Sequence, residues 1–201
     1  MLKHTLLVAS VLALSATAHA NLTFKAGVGY LDPTADKDIV TADGNIPKAE
    51  VSGEAAILPS FDYRFGNTPF SAELLLASPF EHSVKSEGTE IAKFKHLPPT
   101  LTVKYNTPEY KGFGANVGIG ATVVVPYEEQ LLGVDGKFEA KTTVAPAAQI
   151  GLTYSAPRSP WGVFADVRYV DLSTDLKLDG QKIGELEINP VVYAVGVSHK
   201  F

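Results

Sequence analysis

Histidine and serine are the residues of this chain with the chemistry for nucleophilic catalysis. His82 and His96 lie in neighbouring extended segments, and Ser78 and Ser83 are close to His82 in the chain. A serine nucleophile needs a base within hydrogen-bond reach and a third group that orients the base, and no third group is evident. Two histidines without a further placed ligand also make only a weak metal site. We therefore expect that the protein is not an enzyme and that it binds neither a metal ion nor another cofactor.

Charged residues of opposite sign stand two positions apart in otherwise apolar stretches. Asp62 precedes Arg64, and Asp166 precedes Arg168. Residues two apart on a β-strand point to the same face, and opposite charges that share a face can pair, which offsets the cost of burying them. The chemistry that this pattern indicates is electrostatic rather than catalytic.

The elements that carry these side chains are predicted to be β-strands. Apolar residues alternate with polar or small ones at a period of two along the whole mature chain. In the first such segment Phe24, Val28 and Tyr30 share one face with other apolar residues. Helical periodicity is nearly absent. We count eight segments of the ~10 residues that a tilted membrane strand requires, and they are 22–30, 54–65, 70–77, 94–105, 115–125, 147–154, 161–169 and 191–198.

The connections between these segments alternate in length. The short ones, 66–68, 107–112 and 156–160, are rich in Gly, Pro, Asn and Ser, and the long ones, 32–48, 83–91, 127–142 and 173–185, carry most of the acidic residues. Short turns on one side and long loops on the other are typical of outer-membrane barrels, in which the short turns are periplasmic. Both ends of the mature chain are then expected in the periplasm.

The first twenty residues have the layout of a cleaved signal peptide. Lys3 and His4 precede an apolar run from Leu6 to Leu14, and Ala18 and Ala20 supply the small residues of a cleavage site. An N-terminal anchor helix is the alternative, but nothing downstream extends the apolar run to the ~20 residues that a spanning helix needs. We therefore expect a signal peptide at 1–20 and a single domain at 21–201.

The last eight residues of the chain, 194–201, alternate and end in Phe201, which resembles the assembly signal of bacterial outer-membrane barrels. His199 stands where that signal usually has a second aromatic residue. We therefore expect an all-β, eight-stranded antiparallel transmembrane barrel in the bacterial outer membrane, with its C-terminal strand bound by the barrel assembly machinery. A soluble eight-stranded barrel is the alternative, but aromatic residues near the strand ends bound an apolar face, which suits lipid contact.

Composition excludes two further classes of protein. The chain has no cysteine, so a disulfide framework is excluded. Its net charge of −5, without a cluster of Lys and Arg, argues against a nucleic-acid partner.

The inward face divides by height into an apolar outer half and a charged periplasmic half. The interior of eight strands is only wide enough to be filled by side chains or to hold one small ligand. The apolar half is therefore either a ligand chamber or a packed core, and the charged half is a floor that closes it. We assign Leu58, Leu75, Ala77, Phe94, Val170, Leu172 and Val192 to the chamber lining, and Asp62, Arg64, Glu73, Lys104, Asp166 and Arg168 to the floor.

Prolines fall within several of the strand-like stretches. Proline removes a hydrogen-bond donor from the ladder and is confined to edges and bulges. We expect the most severe interruption at Pro98 and Pro99, where a lateral opening would let an apolar molecule leave sideways into the membrane. Alternatively, the prolines only form bulges that shape the barrel. The positions are Pro59, Pro79, Pro98, Pro99, Pro146 and Pro190.

Several segments together resemble the outer membrane protein W (OmpW) family, which includes the alkane-uptake protein AlkL. The likeness runs over the whole mature chain, and the segments that carry it are 73–82 (ELLLASPFEH), 96–101 (HLPPTL), 169–172 (YVDL) and the end at Phe201. The resemblance implies a hydrophobic channel that is open to the outside and closed toward the periplasm. It also implies that the transported molecule leaves the channel laterally. It also implies a constriction of a leucine and a tryptophan. Leu75 matches the leucine, whereas Arg168 occupies the tryptophan position, which favours a floor salt-bridged to Glu73 or Asp62.

We therefore expect an outer-membrane channel that takes small hydrophobic molecules from outside and releases them into the membrane. Its partners would be membrane lipids and small hydrophobic solutes. One alternative is a filled barrel that acts through its surface loops as a receptor, an adhesin or a structural protein. Another is an enzyme that acts on lipid through His82 or His96.

Overall fold

Extended strands dominate the computed structural model, which describes residues 21–34, 37–41, 44–78, 80–86, 89–131, 138–178 and 180–201. The expected signal peptide, 1–20, lies outside these ranges. Within them, no helix is long and apolar enough to cross a membrane. The strands are β1 (Leu22–Pro33), β2 (Lys37–Thr41), β3 (Gly44–Val51), β4 (Glu54–Arg64), β5 (Phe70–Leu75), β6 (Phe80–Ser86), β7 (Thr89–Leu97), β8 (Thr100–Asn106), β9 (Phe113–Leu131), β10 (Phe138–Ala140), β11 (Thr143–Ser155), β12 (Trp161–Val170), β13 (Ser173–Leu178), β14 (Gln181–Glu187) and β15 (Pro190–Lys200).

Eight of these strands close into an antiparallel barrel. Their order around the wall is β1, β4, β5, β8, β9, β11, β12 and β15. The last strand pairs with the first from Lys200 opposite Thr23 to Pro190 opposite Pro33, and the Phe201 N–H donates to the Leu22 carbonyl. Each of the eight therefore has two paired neighbours, as backbone groups in a bilayer require. The predicted eight-stranded barrel is confirmed.

The long connections contain strands that continue the wall beyond the barrel, rather than the loops that the sequence predicted. β2, β3, β6, β7 and the end of β9 form one extension, and β10, β13 and β14 form another. Their charged residues break the alternation from which the other strands were recognised. Pairing continues because ladder hydrogen bonds join backbone groups, whatever side chains the strands carry.

The outer surface of the barrel is an apolar band with aromatic residues at its periplasmic edge. Ile57, Ile119 and Ile150 each expose more than half of their area. At the edge, the His199 ring lies 4.7 Å from the rings of both Trp161 and Phe201. His199 thus takes the place of an aromatic residue in the girdle. An apolar band between aromatic residues is what contact with lipid requires.

A charged floor beneath an apolar cavity

Five charged residues of the floor occupy inward positions on four strands that are far apart in the sequence. Lys25 lies on β1, Glu73 on β5, Lys104 on β8, and Asp166 and Arg168 on β12. In each strand the neighbours on either side face lipid, so parity alone turns these groups into the interior. All five are buried, and Glu73 has no exposed area.

Glu73 is the centre of the floor because it binds cations from three other strands. Its Oε1 accepts hydrogen bonds from Arg168 Nη2 at 2.7 Å and from Ser60 Oγ at 2.7 Å. Its Oε2 accepts one from Lys104 Nζ at 2.6 Å. The Nζ of Lys25 lies 3.3 Å from Oε1. One carboxylate therefore joins β1, β8 and β12 to β5 across the lumen.

Two further carboxylates complete the floor. Asp166 Oδ2 accepts from Lys25 Nζ at 2.6 Å and from Arg168 Nη2 at 3.1 Å, and Asp62 pairs with Lys104. Three carboxylates thus face three cations, which neutralises the layer and makes its burial tolerable. Space for the layer comes partly from Gly151, since a Cβ there would lie 2.1 Å from Asp166 Oδ1.

One residue assigned to the floor lies outside this network. Arg64 is the last residue of β4 and is exposed, because its side chain projects past the end of the wall. It lines a polar vestibule of about 260 Å³ on the periplasmic side of the floor. The other five assigned residues, Asp62, Glu73, Lys104, Asp166 and Arg168, are brought together.

Two members of the floor were absent from the assigned set. Lys25 carries two of the ion pairs and lies 4.1 Å from the centre of the Phe164 ring, a cation–π contact. Gln149 donates from Nε2 to Asn116 at 3.2 Å and is buried. Both alternate with lipid-facing residues. Parity places Lys25 in the charged half of the inward face, and the same signal would have added Gln149.

An apolar cavity of about 40 Å³ lies directly above the floor. Arg168, Gln149 and Thr102 form its base, and two threonines at the level of Leu75 together with apolar side chains form its walls. Among the residues assigned to the chamber, the Phe94 side chain lies outside the described part of the structure, and the others line the cavity. These are Leu58, Leu75, Ala77, Val170, Leu172 and Val192.

The upper wall of the cavity continues into the strands beyond the barrel. Val170 and Leu172 belong to a buried apolar cluster with Leu176, Leu186 and Ile188. Leu58, Leu75 and Val192 belong to a second cluster that includes Phe80. Apolar side chains of the described outer half of the lumen therefore pack against one another above the cavity.

Pro98 and Pro99 separate two strands that form one wall element along β9. Thr100 of β8 faces Thr122, and Leu97 of β7 faces Val125 three residues further on, so the register is continuous. The Val123 N–H donates to the Pro99 carbonyl at 2.9 Å. On this side the prolines leave the wall intact.

On the opposite side, the described residues form no ladder pair between the end of β5 and the start of β6, and we call this interval the wall gap. The last ladder pair is Leu75 with Thr100, and the next is Phe80 with His96. Between them, Leu76 and Ser78 donate their N–H groups to β4. Because successive residues of a strand bond to opposite sides, Ala77 faces Pro98, which has no N–H to donate. Pro98 and Ala77 both border the cavity.

The remaining described prolines stand where the ladder on one side ends, while the strand on the other side stays paired. Pro59 faces Ala26 and Pro146 faces Ala121 within continuous registers. Their carbonyls accept from Leu76 and Asp171, so their missing N–H groups face β5 and β12, and the ladders on those sides end one residue earlier, at Leu75 and Val170. Pro79 lies outside the described residues.

The residues considered for catalysis and metal binding are only partly within the described structure. The side chains of His82 and His96 lie outside its described part. The Ser78 hydroxyl accepts a hydrogen bond from the Ile57 N–H at 3.1 Å, so it belongs to the barrel wall. Among the described residues, no group of three or more His, Cys, Asp or Glu is placed to hold a metal ion.

A closed eight-stranded barrel with a lipid-facing band and a lumen shut by ion pairs defines an outer-membrane β-barrel of the small class. The chain belongs to the OmpW family, whose model matches residues 18–201, and this confirms the family that the sequence segments indicated. It is a bacterial outer-membrane protein that spans the lipid bilayer.

Individual relatives agree with this assignment. Outer membrane protein W of Vibrio cholerae is 27% identical over 88% of this chain and 87% of its own length. Outer membrane protein AlkL of Ectopseudomonas oleovorans is 26% identical over 82% of this chain and 74% of its own length. The crystal structure of OprG from Pseudomonas aeruginosa superposes with a TM-score of 0.78, at 22% identity, over 92% of this chain and 97% of that one. The last likeness concerns the fold alone.

Proposed function

We propose that this barrel takes up small hydrophobic molecules from outside the cell and releases them sideways into the membrane. The observation that carries the proposal is that one apolar cavity borders both sides of the wall gap, through Ala77 and Pro98. Membership of the family that includes AlkL supports it. The buried floor around Glu73 would deny such a molecule the route to the periplasm, because crossing it means breaking the ion pairs.

Apolar burial supplies the attraction, and packing limits how long it lasts. Removing apolar surface from water is worth ~25 cal/mol per Å², so a small alkane gains a few kcal/mol on reaching the lining. The cavity of about 40 Å³ is smaller than the ~150 Å³ that holds a benzene molecule. Leu75 and Phe80 must therefore move aside as a solute passes, which makes its occupancy brief.

The two adjacent prolines provide a matched test of lateral release. Pro98→Val adds an N–H that faces Ala77 across the gap, and keeps an apolar side chain on the cavity. Pro99→Val adds an N–H that faces β9, where the register is already continuous. We expect Pro98→Val to slow the uptake of octane by intact cells severalfold, while Pro99→Val leaves the uptake rate near that of the parent.

The uptake rate should be measured as the amount of octane that accumulates inside cells per unit time. The rate in cells without the barrel is subtracted as background. Heat-modifiable mobility in gels shows that each variant has assembled. Lateral release at this gap is wrong if assembled Pro98→Val and Pro99→Val take up octane equally.

A filled barrel that acts through its outer strands is the second candidate function. It is favoured by the small cavity volume and by the packing of Val170 and Leu172 against the strands beyond the barrel. Leu75→Asp separates the two functions, since a carboxylate in the cavity should slow solute passage through a channel and leave a receptor surface unchanged. If Leu75→Asp assembles and octane uptake equals that of the parent, the filled barrel is the better account.

A further inference from the structure

We infer that the base of the cavity binds the hydroxyl group of a small alcohol, so that the chamber prefers neutral alkanols to alkanes and carboxylates of equal length. This inference rests on the proposed function, because it concerns what occupies the same chamber. It follows from three polar atoms at the base, on Arg168 and Gln149.

These atoms are buried, yet they have no hydrogen-bond partner among the described residues. They are Nε and Nη1 of Arg168 and Oε1 of Gln149. Arg168 uses only Nη2 for its bonds to Glu73 and Asp166, and Gln149 uses its Nε2. Both residues are more than nine-tenths buried and both line the cavity.

The two side chains lie beside each other because their positions are paired. Gln149 of β11 faces Arg168 of β12 in the ladder, and both are inward. They therefore place a donor-bearing and an acceptor-bearing side chain next to each other at the base. A hydroxyl group carries one donor and two acceptor lone pairs, so it can accept from Nε or from Nη1 and donate to Oε1. An alkane leaves all three atoms unpaired.

The charge of the floor selects a neutral head group. Lys25, Lys104 and Arg168 are matched by Glu73, Asp62 and Asp166. A carboxylate bound at Arg168 would add a fourth negative charge to a buried layer that is already balanced, and an unpaired buried charge is costly. An alcohol adds hydrogen bonds without charge.

The apolar side chains above the base suit the tail of the same molecule. Leu75, Val170 and Val192 line the cavity over Arg168, so a straight alkyl chain attached to the hydroxyl would extend away from the floor among them. The ligand is thus an amphiphile with its head down and its tail toward the outside.

Binding can be followed by NMR on the mature barrel in lipid nanodiscs. The probes are 1-hexanol, hexane and hexanoate, compared at equal mole fraction in the bilayer. The signals are the Arg168 Nε–H, the Gln149 side-chain amide and the Leu75 methyl groups. We expect 1-hexanol to shift all three sets and to saturate at a concentration at least tenfold lower than hexane or hexanoate.

Two variants remove the donors and the acceptor separately. Arg168→Lys keeps a cation beside Glu73 and Asp166 but removes Nε and Nη1, and Gln149→Leu removes Oε1. Each should reduce the preference for 1-hexanol over hexane at least fivefold. Ser71→Ala, on the vestibule side of the floor, should leave that preference unchanged.

The outcomes separate this inference from the proposed function. If hexane and 1-hexanol both shift the Leu75 methyl groups with equal affinity, or if Gln149→Leu keeps the preference of the parent, the hydroxyl site is wrong and the channel stands. If neither probe shifts the Leu75 signals, the chamber is not a binding site, and the proposed function fails together with this inference.

Discussion

The same strands contribute residues to both the floor and the chamber of this barrel, at positions two residues apart. On β5, Glu73 belongs to the floor and Leu75 to the chamber, and on β12, Arg168 and Val170 are divided in the same way. Two residues correspond to about 7 Å along a strand. Over that distance the lumen changes from ion pairs to aliphatic packing, although the face of the strand is the same.

This difference indicates that the two layers respond differently to strain. The ion pairs of the floor are directional and join five strands, so moving one partner exposes several charges. Aliphatic packing has no direction, and side chains in the chamber can change rotamer without leaving a polar group unpaired. A closed, rigid floor below a yielding chamber is what uptake without leakage needs.

Exchanging one residue in each layer of β5 should give the largest contrast. We expect Glu73→Gln to lower the free energy of unfolding by about 3–5 kcal/mol, because it leaves buried cations without their shared carboxylate. Leu75 already borders a cavity, so Leu75→Ala should lower the free energy of unfolding by only about 2 kcal/mol, the lower end of the range for Leu→Ala in a core. Urea unfolding of the refolded barrel in lipid vesicles, followed by Trp161 fluorescence, gives both values. Equal costs would mean that the floor is no more rigid than the chamber.

Opening the floor should have a smaller but specific effect on ion permeation. Arg168→Ala removes the side chain that bridges Glu73 and Asp166, and water can then join the vestibule to the cavity. We expect Arg168→Ala to raise the single-channel conductance in planar bilayers about twofold. Arg64→Ala, at the exposed end of β4, should leave the conductance unchanged. A rise with Arg64→Ala and none with Arg168→Ala would place the constriction nearer the periplasm.

An ion pair outside the membrane should contribute least. Partial burial raises the pKa of Glu109, but the hydrogen bond and the positive charge of Lys200, 2.9 Å away, outweigh it and hold the pKa below 4.5. A lowered pKa stabilises the folded state above the pKa of the unfolded chain, and this stabilisation is lost as the pH falls through the folded value.

Because the Glu109 side chain is 39% exposed, the contribution should stay below about 1 kcal/mol. The difference in unfolding free energy between the parent and Glu109→Gln should therefore be constant from pH 7 to about pH 5 and shrink as the pH falls further. A difference that stays constant as the barrel is acidified below pH 5 would rule out the ionised carboxylate as its source.

Much of the floor could be inferred from parity because alternation is a local property. Asp166 and Arg168 are two apart in one strand, so their common face follows from the sequence alone. Arg64 shows the limit of the method, since parity assigns a face but not whether the wall extends far enough to enclose a side chain. The strands beyond the barrel were not predicted, because charged residues interrupt the alternation of the few apolar residues that they bury, such as Val84 and Leu176.

The sequence by itself determined the number of barrel strands, the lipid-facing side of each, and the end of the barrel at which the short turns lie. Period-two alternation and turn residues specify these features within a few neighbouring positions. Only the tertiary structure decided that Lys25 meets Asp166, 141 residues away, that Gln149 faces Arg168, that the cavity is small, and that the gap lies on the Ala77 side of Pro98. These depend on how eight strands close and on their register, which no single strand encodes.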